Sequence, residues 1–417
     1  MSPILIAFLV LLVLKTLVSL YLDFLNLKHV QAHASERPEA LKSVVDAETY
    51  EKTVRYTLAK GKFGVFNGLF DAVALGIIVA TGFLGGSFVW LTEAWGAGIW
   101  AQAAILFLIP TVLGLLDLPF DYYSQFKIEA EFGFNKSTVG LWVADQFRNL
   151  AVGALLMIPL VALLLFIVQS LPNTWWLWGF ILLFGFQLVM IVVYPKFIIP
   201  LYNKLSPLPE GELKERLLAL AEKLDFPTKT IEVIDGSKRS GHSNAYFTGF
   251  GKFRQVVIYD TLIEQLEPEQ LEAVLAHEIG HYKKGHIPKT LITFGVVGLA
   301  AFAFIGWLTQ VPAFIEGLGF VGVPEGAVVP ATLMAFSIMS GLITFWMSPL
   351  SARRSRKHEY EADAYAKDAV GGAEPMIGAL RNLFQKNLSN LNPHPIYSGF
   401  YYSHPTLLER EAALRAE

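Results

Sequence analysis

The chain has 417 residues, 53% of them hydrophobic and only 17% charged, with a mean hydropathy of +0.46. Soluble domains carry about 25% charged residues, so this deficit excludes an ordinary soluble globule and, with its repeated apolar runs, points to a polytopic membrane protein. A formal net charge of −3 excludes the basic footprint of a nucleic-acid binder, and the absence of cysteine excludes disulfides and thiolate metal ligands.

In chain order, seven apolar runs predict membrane spans at about 3–22, 63–84, 99–118, 149–170, 175–197, 288–308 and 330–350. Each approaches the roughly 20 residues that cross the hydrocarbon core. The first is too long for a signal-peptide core and lacks a clear cleavage site, so it reads as a retained span. The segments 85–98, 171–174 and 309–329 contain neither Lys nor Arg, whereas 23–62, 119–148, 198–287 and 351–417 hold nearly all of them. The two groups alternate, as an odd number of spans requires. The positive-inside rule then puts the N-terminus outside and the long polar segments and C-terminus in the cytosol. Lys15, Asp71, Gln102 and Gln187 fall inside the spans. They read either as pairs between helices or as the lining of a hydrated interior, and Lys15 can also snorkel.

The expected organisation is therefore 1–197 with five spans, 198–287 as a polar insertion, 288–350 with two spans, and 351–417 as a polar C-terminal portion. In the insertion, Leu213 to Leu224 predicts an amphipathic helix. Thr230 to Asp235 and Gln255 to Tyr259 predict short strands, and His242 to Phe250 between them reads as extended. An edge strand in such a sheet can pair with a peptide backbone, although a plain structural hairpin gives the same pattern.

Residues 277–281 read His277-Glu278-Ile279-Gly280-His281. On a helix the two histidines share one face, one turn apart, where they can hold Zn²⁺. Glu278 is then placed as a general base toward water at the metal. The helix has local support: Glu267-Pro268-Glu269-Gln270 is a capped start, and Gly285 is a stop. A catalytic zinc needs a third protein ligand. The segment 351–370 offers Glu359, Glu361 and Asp363, on a helix expected to run through Ala366. Glu359 and Asp363 share a face, so one can bind metal while the other orients a ligand histidine, but spacing does not choose between Glu359 and Glu361. His286, five residues past His281, is expected to be rotated off the ligand face, and His358 to point elsewhere. His394 lies between prolines in a predicted loop, and His242, beside the extended segment, has no assigned role.

Five motifs occur in a telling order. They are Pro119-Phe120-Asp121 through Gly133-Phe134-Asn135-Lys136, Ser243-Asn244-Ala245-Tyr246-Phe247, His277 to His281, Glu359-Tyr360-Glu361-Ala362-Asp363-Ala364, and Ser403-His404-Pro405. In these, over nearly its whole length, the chain resembles the CAAX prenyl protease 1 family, the Ste24-type members of the M48 zinc metallopeptidases. The resemblance implies that Glu359 is the third zinc ligand and that Asp363 supports the ligand sphere. It implies that Asn244 holds the substrate backbone and that His404 stabilises the oxyanion. Glu361 departs from the Gln usual in many Ste24-type members.

The fold implied is mostly α: a seven-transmembrane-helix bundle enclosing a chamber, with a small α+β zincin-like catalytic portion in the cytosol. The function implied is that of an integral-membrane zinc metalloendopeptidase, with one Zn²⁺ per chain. Its substrates would be peptides or proteins, cut near the C-terminus of prenylated chains. General quality control of membrane proteins without a prenyl requirement is the alternative. The membrane would be the plasma membrane in a bacterium, and the endoplasmic reticulum or nuclear envelope in a eukaryote. A transporter is disfavoured by the lack of an internal repeat or matching broken helices. A non-catalytic scaffold is disfavoured because every expected catalytic residue is present.

Overall fold

The helices that carry the apolar runs are longer than the runs themselves. The computed structural model describes residues 1–226, 228, 230–248 and 255–416. It opens with α1 (Pro3–Ala32), the short α2 (Glu39–Lys42) and α3 (Ala47–Ala80). At 1.5 Å per residue, the 30 residues of α1 and 34 of α3 reach about 45 and 51 Å, beyond a hydrocarbon core of about 30 Å. Asp46 caps α3 by accepting from Thr49 N at 2.8 Å, so the helix starts well before its apolar run. Val30, Tyr50 and Val54 at the polar ends of this pair then enter the core beside the sheet.

α4 (Phe83–Trp95), α5 (Ile99–Gly114) and α6 (Leu118–Tyr123) follow, with a π-helical turn at Ser124–Glu129. α7 (Val139–Ser170) and α8 (Trp175–Val193) complete the N-terminal set. Among the described residues, six helical stretches are long and apolar enough to cross a membrane: Pro3–Ala32, Ala47–Ala80, Val139–Ser170, Trp175–Leu201, His286–Leu308 and Glu325–Val370. A seventh is reached when Ile99–Gly114 and Leu118–Glu129, bent by 48° at their junction, count as one span. The bend coincides with Pro119 in the first turn of α6, where a missing N–H and the ring interrupt a continuous helix. Phe66, Val73, Leu155, Phe166, Val296 and Val297 project outward on these stretches, as side chains in contact with lipid do.

The sheet has the order β1-β2-β4-β3. Its strands are β1 (Leu205–Pro207), β2 (Ile231–Ile234), β3 (Ala245–Thr248) and β4 (Gln255–Tyr259), with α9 (Glu212–Lys223) between β1 and β2. β2 and β4 run parallel, and β1 and β3 are antiparallel to their neighbours. Val256, Val257 and Ile258 are all buried, as the unbroken apolar run of an inner strand requires. The expected strands and amphipathic helix are therefore present. β3 realises part of the expected extended segment and lies at the sheet edge; Gly249 and Phe250 lie outside the described residues.

The C-terminal half is helical: α10 (Asp260–Gln265), α11 (Pro268–Lys283), α12 (His286–Leu308), α13 (Pro312–Gly317), α14 (Val328–Thr344) and α15 (Ser348–Val370). α16 (Glu374–Lys386), α17 (Pro395–Tyr401) and α18 (Leu407–Arg415) follow. One hydrophobic core joins the sheet, α9, α11, α16 and α18, and takes in residues from α3 and α15. A second, formed by Phe8, Leu84, Phe88, Leu318, Phe320 and Met334 among others, binds the membrane helices together.

The contact that matters most for the site is that of α11 with α15. A Cβ at Gly280 would stand 3.1 Å from both Cα and O of Ala362 and 3.2 Å from Tyr365 Cβ. The two helices thus touch almost backbone to backbone. Overpacking such a contact costs roughly 1–3 kcal/mol. Gly280→Ala is expected to be tolerated, and Gly280→Leu to lower the unfolding temperature of the detergent-solubilised protein. An unchanged transition in Gly280→Leu would show that the close approach is dispensable.

Candidate metal centre

α11 supplies two of the converging side chains. Its start is fixed by a reciprocal capping box between Glu267 and Gln270, with Pro268 in the first turn. Leu271, Val274, Leu275 and Ile279 bury one face, and His277 follows them into the interior. α15 supplies the third, because Ala362 against Gly280 brings the preceding turn of α15 up to the histidines. Glu359 and Asp363 are 4% and 1% exposed.

His277 Nε2 and His281 Nε2 face each other at 3.1 Å. Glu359 Oε2 lies 3.5 Å from His277 Nε2, and Glu359 Oε1 lies 3.4 Å from His281 Nε2. Bonds of 2.0–2.1 Å in a tetrahedron put ligand atoms about 3.3 Å apart, which is the spacing found here. Glu359 Oε2 is buried without a hydrogen-bond partner, an orphan acceptor that a cation would satisfy. Electrostatics agree. Burial opposes a charge on His277, but Asp363 and Glu359 outweigh it and hold the ring's pKa up at about 9. Carboxylates that favour a proton at this point favour a metal cation there as well. The donor set of two imidazoles and a carboxylate fits Zn²⁺.

Asp363 stands behind His277. Its Oδ1 is 2.8 Å from His277 Nδ1, a short contact that is off the line of an ideal hydrogen bond. Asp363 is in turn gripped by Arg410, whose Nε and Nη2 donate to its two oxygens at 2.7 and 2.6 Å. Burial disfavours the Arg410 charge, but Asp363 and Glu359 restore it and raise its pKa above the usual arginine value.

The open side of the centre is a cavity of about 230 Å³. Asn244, Glu278 and His404 line it together with His277 and Glu359. Its other wall is apolar, built from Leu262, Val274, Met376, Leu380, Leu383 and Phe384. Burial pushes the Glu278 carboxyl above the usual range, with His277 and His281 pulling the other way. His404 Nε2 is 3.5 Å from Glu359 Oε1, and Ser403 Oγ is 3.0 Å from His404 Nδ1. Burial lowers the His404 pKa despite Glu359, so the ring is neutral near pH 7. The Ser403 hydroxyl can donate to Nδ1, and in that tautomer the ring proton sits on Nε2, on the metal side. Asn244 O accepts from Tyr259 N at 3.1 Å, which anchors the segment that enters β3.

The structure thus brings Glu359, and not Glu361, to the histidine pair. Glu361 Oε2 instead accepts from His286 Nε2 at 2.9 Å. His358 stacks on His286 with ring centroids 4.0 Å apart, and His394 caps α17. His242 stacks on Phe134 and meets Glu129 Oε2 at 3.2 Å. Of the polar groups within the spans, Gln102 donates to Thr92 Oγ1 at 3.1 Å and Asp71 accepts from Asn67 at 3.2 Å. Lys15 lies 6.0 Å from the Phe345 ring centroid.

Sequence reasoning missed Arg410. A signal existed: Arg410 falls on the same helical face as Leu407 and Leu414, where a lone charge needs a buried partner.

With this geometry in hand, comparison with known proteins decides the family. A model described as the CAAX prenyl protease N-terminal region, with five membrane helices, matches residues 26–204. The model of peptidase family M48 matches residues 207–417. CAAX prenyl protease 1 of Saccharomyces cerevisiae is 36% identical over 90% of this chain and 88% of its own. The chain belongs to the CAAX prenyl protease 1 group of peptidase family M48. Its homolog in Oryza sativa is 37% identical over 99% of this chain and 97% of its own. The crystal structure of S. mikatae Ste24p superposes with a TM-score of 0.88 at 33% identity, over 99% of both chains. This M48 member is therefore an integral-membrane metallopeptidase.

Removing one partner of a buried ion pair costs about 3–5 kcal/mol, because the other charge is left uncompensated. Arg410→Met is expected to destabilise this M48 chain on that scale, measured by chemical or thermal unfolding. A loss below about 1 kcal/mol would contradict the buried pairing with Asp363.

Proposed function

We propose that this chain is a zinc metalloendopeptidase that hydrolyses a peptide bond near the C-terminus of prenylated proteins. The observation that carries it is the ligand spacing of His277, His281 and Glu359 at the end of a part-apolar cavity. The substrate class rests on relatives named CAAX prenyl protease 1, which cover about nine-tenths or more of this chain.

Zn²⁺ held by His277, His281 and Glu359 would supply Lewis acidity toward water and the scissile carbonyl. Glu278 takes a proton from the attacking water and gives it to the leaving amine as the C–N bond breaks. Its raised pKa suits this exchange, because it narrows the gap to the groups it trades protons with. His404, in the tautomer where Ser403 donates to Nδ1 and the ring proton is on Nε2, donates toward the oxygen on which negative charge develops. Asn244 and the open edge of β3 hold the substrate backbone in extended form. Asp363 orients His277, with Arg410 as its anchor. The apolar wall from Leu262 to Phe384 takes an aliphatic side chain next to the cut.

We further infer seven spans, with the bent pair as the third, a cytosolic catalytic portion and a hydrated chamber among the helices. The Lys and Arg distribution supports the orientation. A cavity of about 620 Å³ lined by Asp23, Asn26, Tyr56, Lys60 and His242 among others supports the hydrated interior.

The test is cleavage of a farnesylated C-terminal peptide by purified protein, with metal content measured in parallel. Wild type is expected to cleave it, Glu278→Gln to keep zinc and lose turnover, and His281→Ala and Glu359→Ala to lose zinc. Full zinc occupancy in Glu359→Ala would show the third ligand to be another residue. Cleavage of unprenylated membrane proteins alone would favour a quality-control role over CAAX processing.

A further inference from the structure

His281 is the metal-site histidine whose second nitrogen no carboxylate touches directly. Its Nδ1 lies 2.8 Å from Nδ1 of His286, and His286 Nε2 lies 2.9 Å from Glu361 Oε2. His286 is 4% exposed, so water is not a ready substitute for either partner. The flat stack of His358 on His286, 7° from parallel, fixes the plane of the ring. Lys357 Nζ lies 3.7 Å from Glu361 Oε1 and holds the carboxylate from its other side.

On a continuous helix a residue five positions after His281 would sit about 140° around the axis, out of reach. The chain escapes this because α11 ends at Lys283 and Gly285 takes a left-handed conformation at φ 67°. That turn starts α12 in a new direction and swings His286, its first residue, back onto His281.

With Glu361 ionised and His286 neutral, the hydrogen bonds allow one self-consistent placement of protons. An ionised Glu361 can only accept, so His286 carries its proton on Nε2 and presents a bare Nδ1. His281 must then donate from Nδ1, which leaves its Nε2 lone pair free and aimed at His277 and Glu359. That is the tautomer a metal ligand requires.

We propose that His286 and Glu361 are positioning residues that fix the tautomer and ring orientation of His281 as a zinc ligand, through a carboxylate–histidine–histidine chain. It is the counterpart on His281 of what Asp363 does for His277. The proposal rests on the zinc-site reading above, and its test separates the two. It also gives Glu361 a place: the carboxylate that replaces the more usual Gln keeps an acceptor for His286 Nε2, and Gln keeps one too.

The experiment is zinc affinity of the full-length protein in detergent, by competition with a chelating dye, on wild type and three variants. His286→Phe keeps a ring against His358 but removes both polar atoms. Glu361→Leu removes the acceptor, and Glu361→Gln keeps it. Loss of an outer partner of a metal ligand weakens metal binding about 10–100-fold. His286→Phe and Glu361→Leu are expected to fall in that range, and Glu361→Gln to stay within about threefold of wild type on the same scale. The rescue by Gln is what a merely space-filling role would not produce. Wild-type affinity in both His286→Phe and Glu361→Leu overturns the proposal, as does equal weakening in Glu361→Gln and Glu361→Leu. A wild type that binds no zinc would instead overturn the reading of the site itself. Should His286→Phe fail to fold, the Leu and Gln variants at 361 still decide.

Discussion

The metal centre depends on one steric constraint: α11 and α15 must approach almost to backbone contact at Gly280 and Ala362. Two histidines on α11 offer half a site. The carboxylate that completes it sits on a helix 78 residues further on (359 − 281 = 78). The absence of a bulky side chain at position 280 lets the turn carrying Glu359 come within 3.5 Å of both imidazoles. The charges gathered there, Glu359, Asp363 and Arg410, are all buried and compensate one another. Such a cluster contributes little to net stability, because desolvation offsets most of the attraction. Its value is geometric: each group has one place to be.

The membrane helices hold this centre as well as anchoring it. α1 and α3 leave the apolar layer and insert Val30, Tyr50 and Val54 into the core that α11 shares. A second strut comes from the other helices. Asp145 on α7 takes Arg239 in a two-point grip at 2.8 and 3.0 Å, and Gly241 N donates to Phe134 O at 2.8 Å. Glu129, at the end of the π-helical turn, meets His242, two residues before Asn244. The segment that leads into the edge strand is therefore fixed to the membrane portion from one side and to β4 from the other. The edge-strand segment and the His-His-Glu cluster are placed by different elements but referred to the same helices.

Much of this was legible in the sequence, for physical reasons. Apolar runs near 20 residues report spans directly, and the unbroken Val256-Val257-Ile258 run reported an inner strand. The Glu267-Pro268-Glu269-Gln270 start reported the capping box that the structure contains. What failed to show was whatever depends on a partner distant in sequence. Spacing left Glu359 and Glu361 equivalent, and only a family resemblance separated them before the folded chain did. Arg410 went unnoticed because its partner Asp363 lies 47 residues away in the chain. His286 was judged by the periodicity of a continuous helix, and the turn at Gly285 removed that premise. The apolar run at 99–118 was of ordinary length, and the 48° bend between Ile99–Gly114 and Leu118–Glu129 coincides with a proline whose effect on direction no hydropathy profile registers.

The most direct test of the account is anomalous diffraction at the zinc edge from crystals of the zinc-loaded protein. The account predicts one strong peak per chain, about 2.0–2.1 Å from His277 Nε2, His281 Nε2 and a Glu359 oxygen. A principal peak on His286, His358 or Glu361, or none within bonding distance of Glu359, would contradict it.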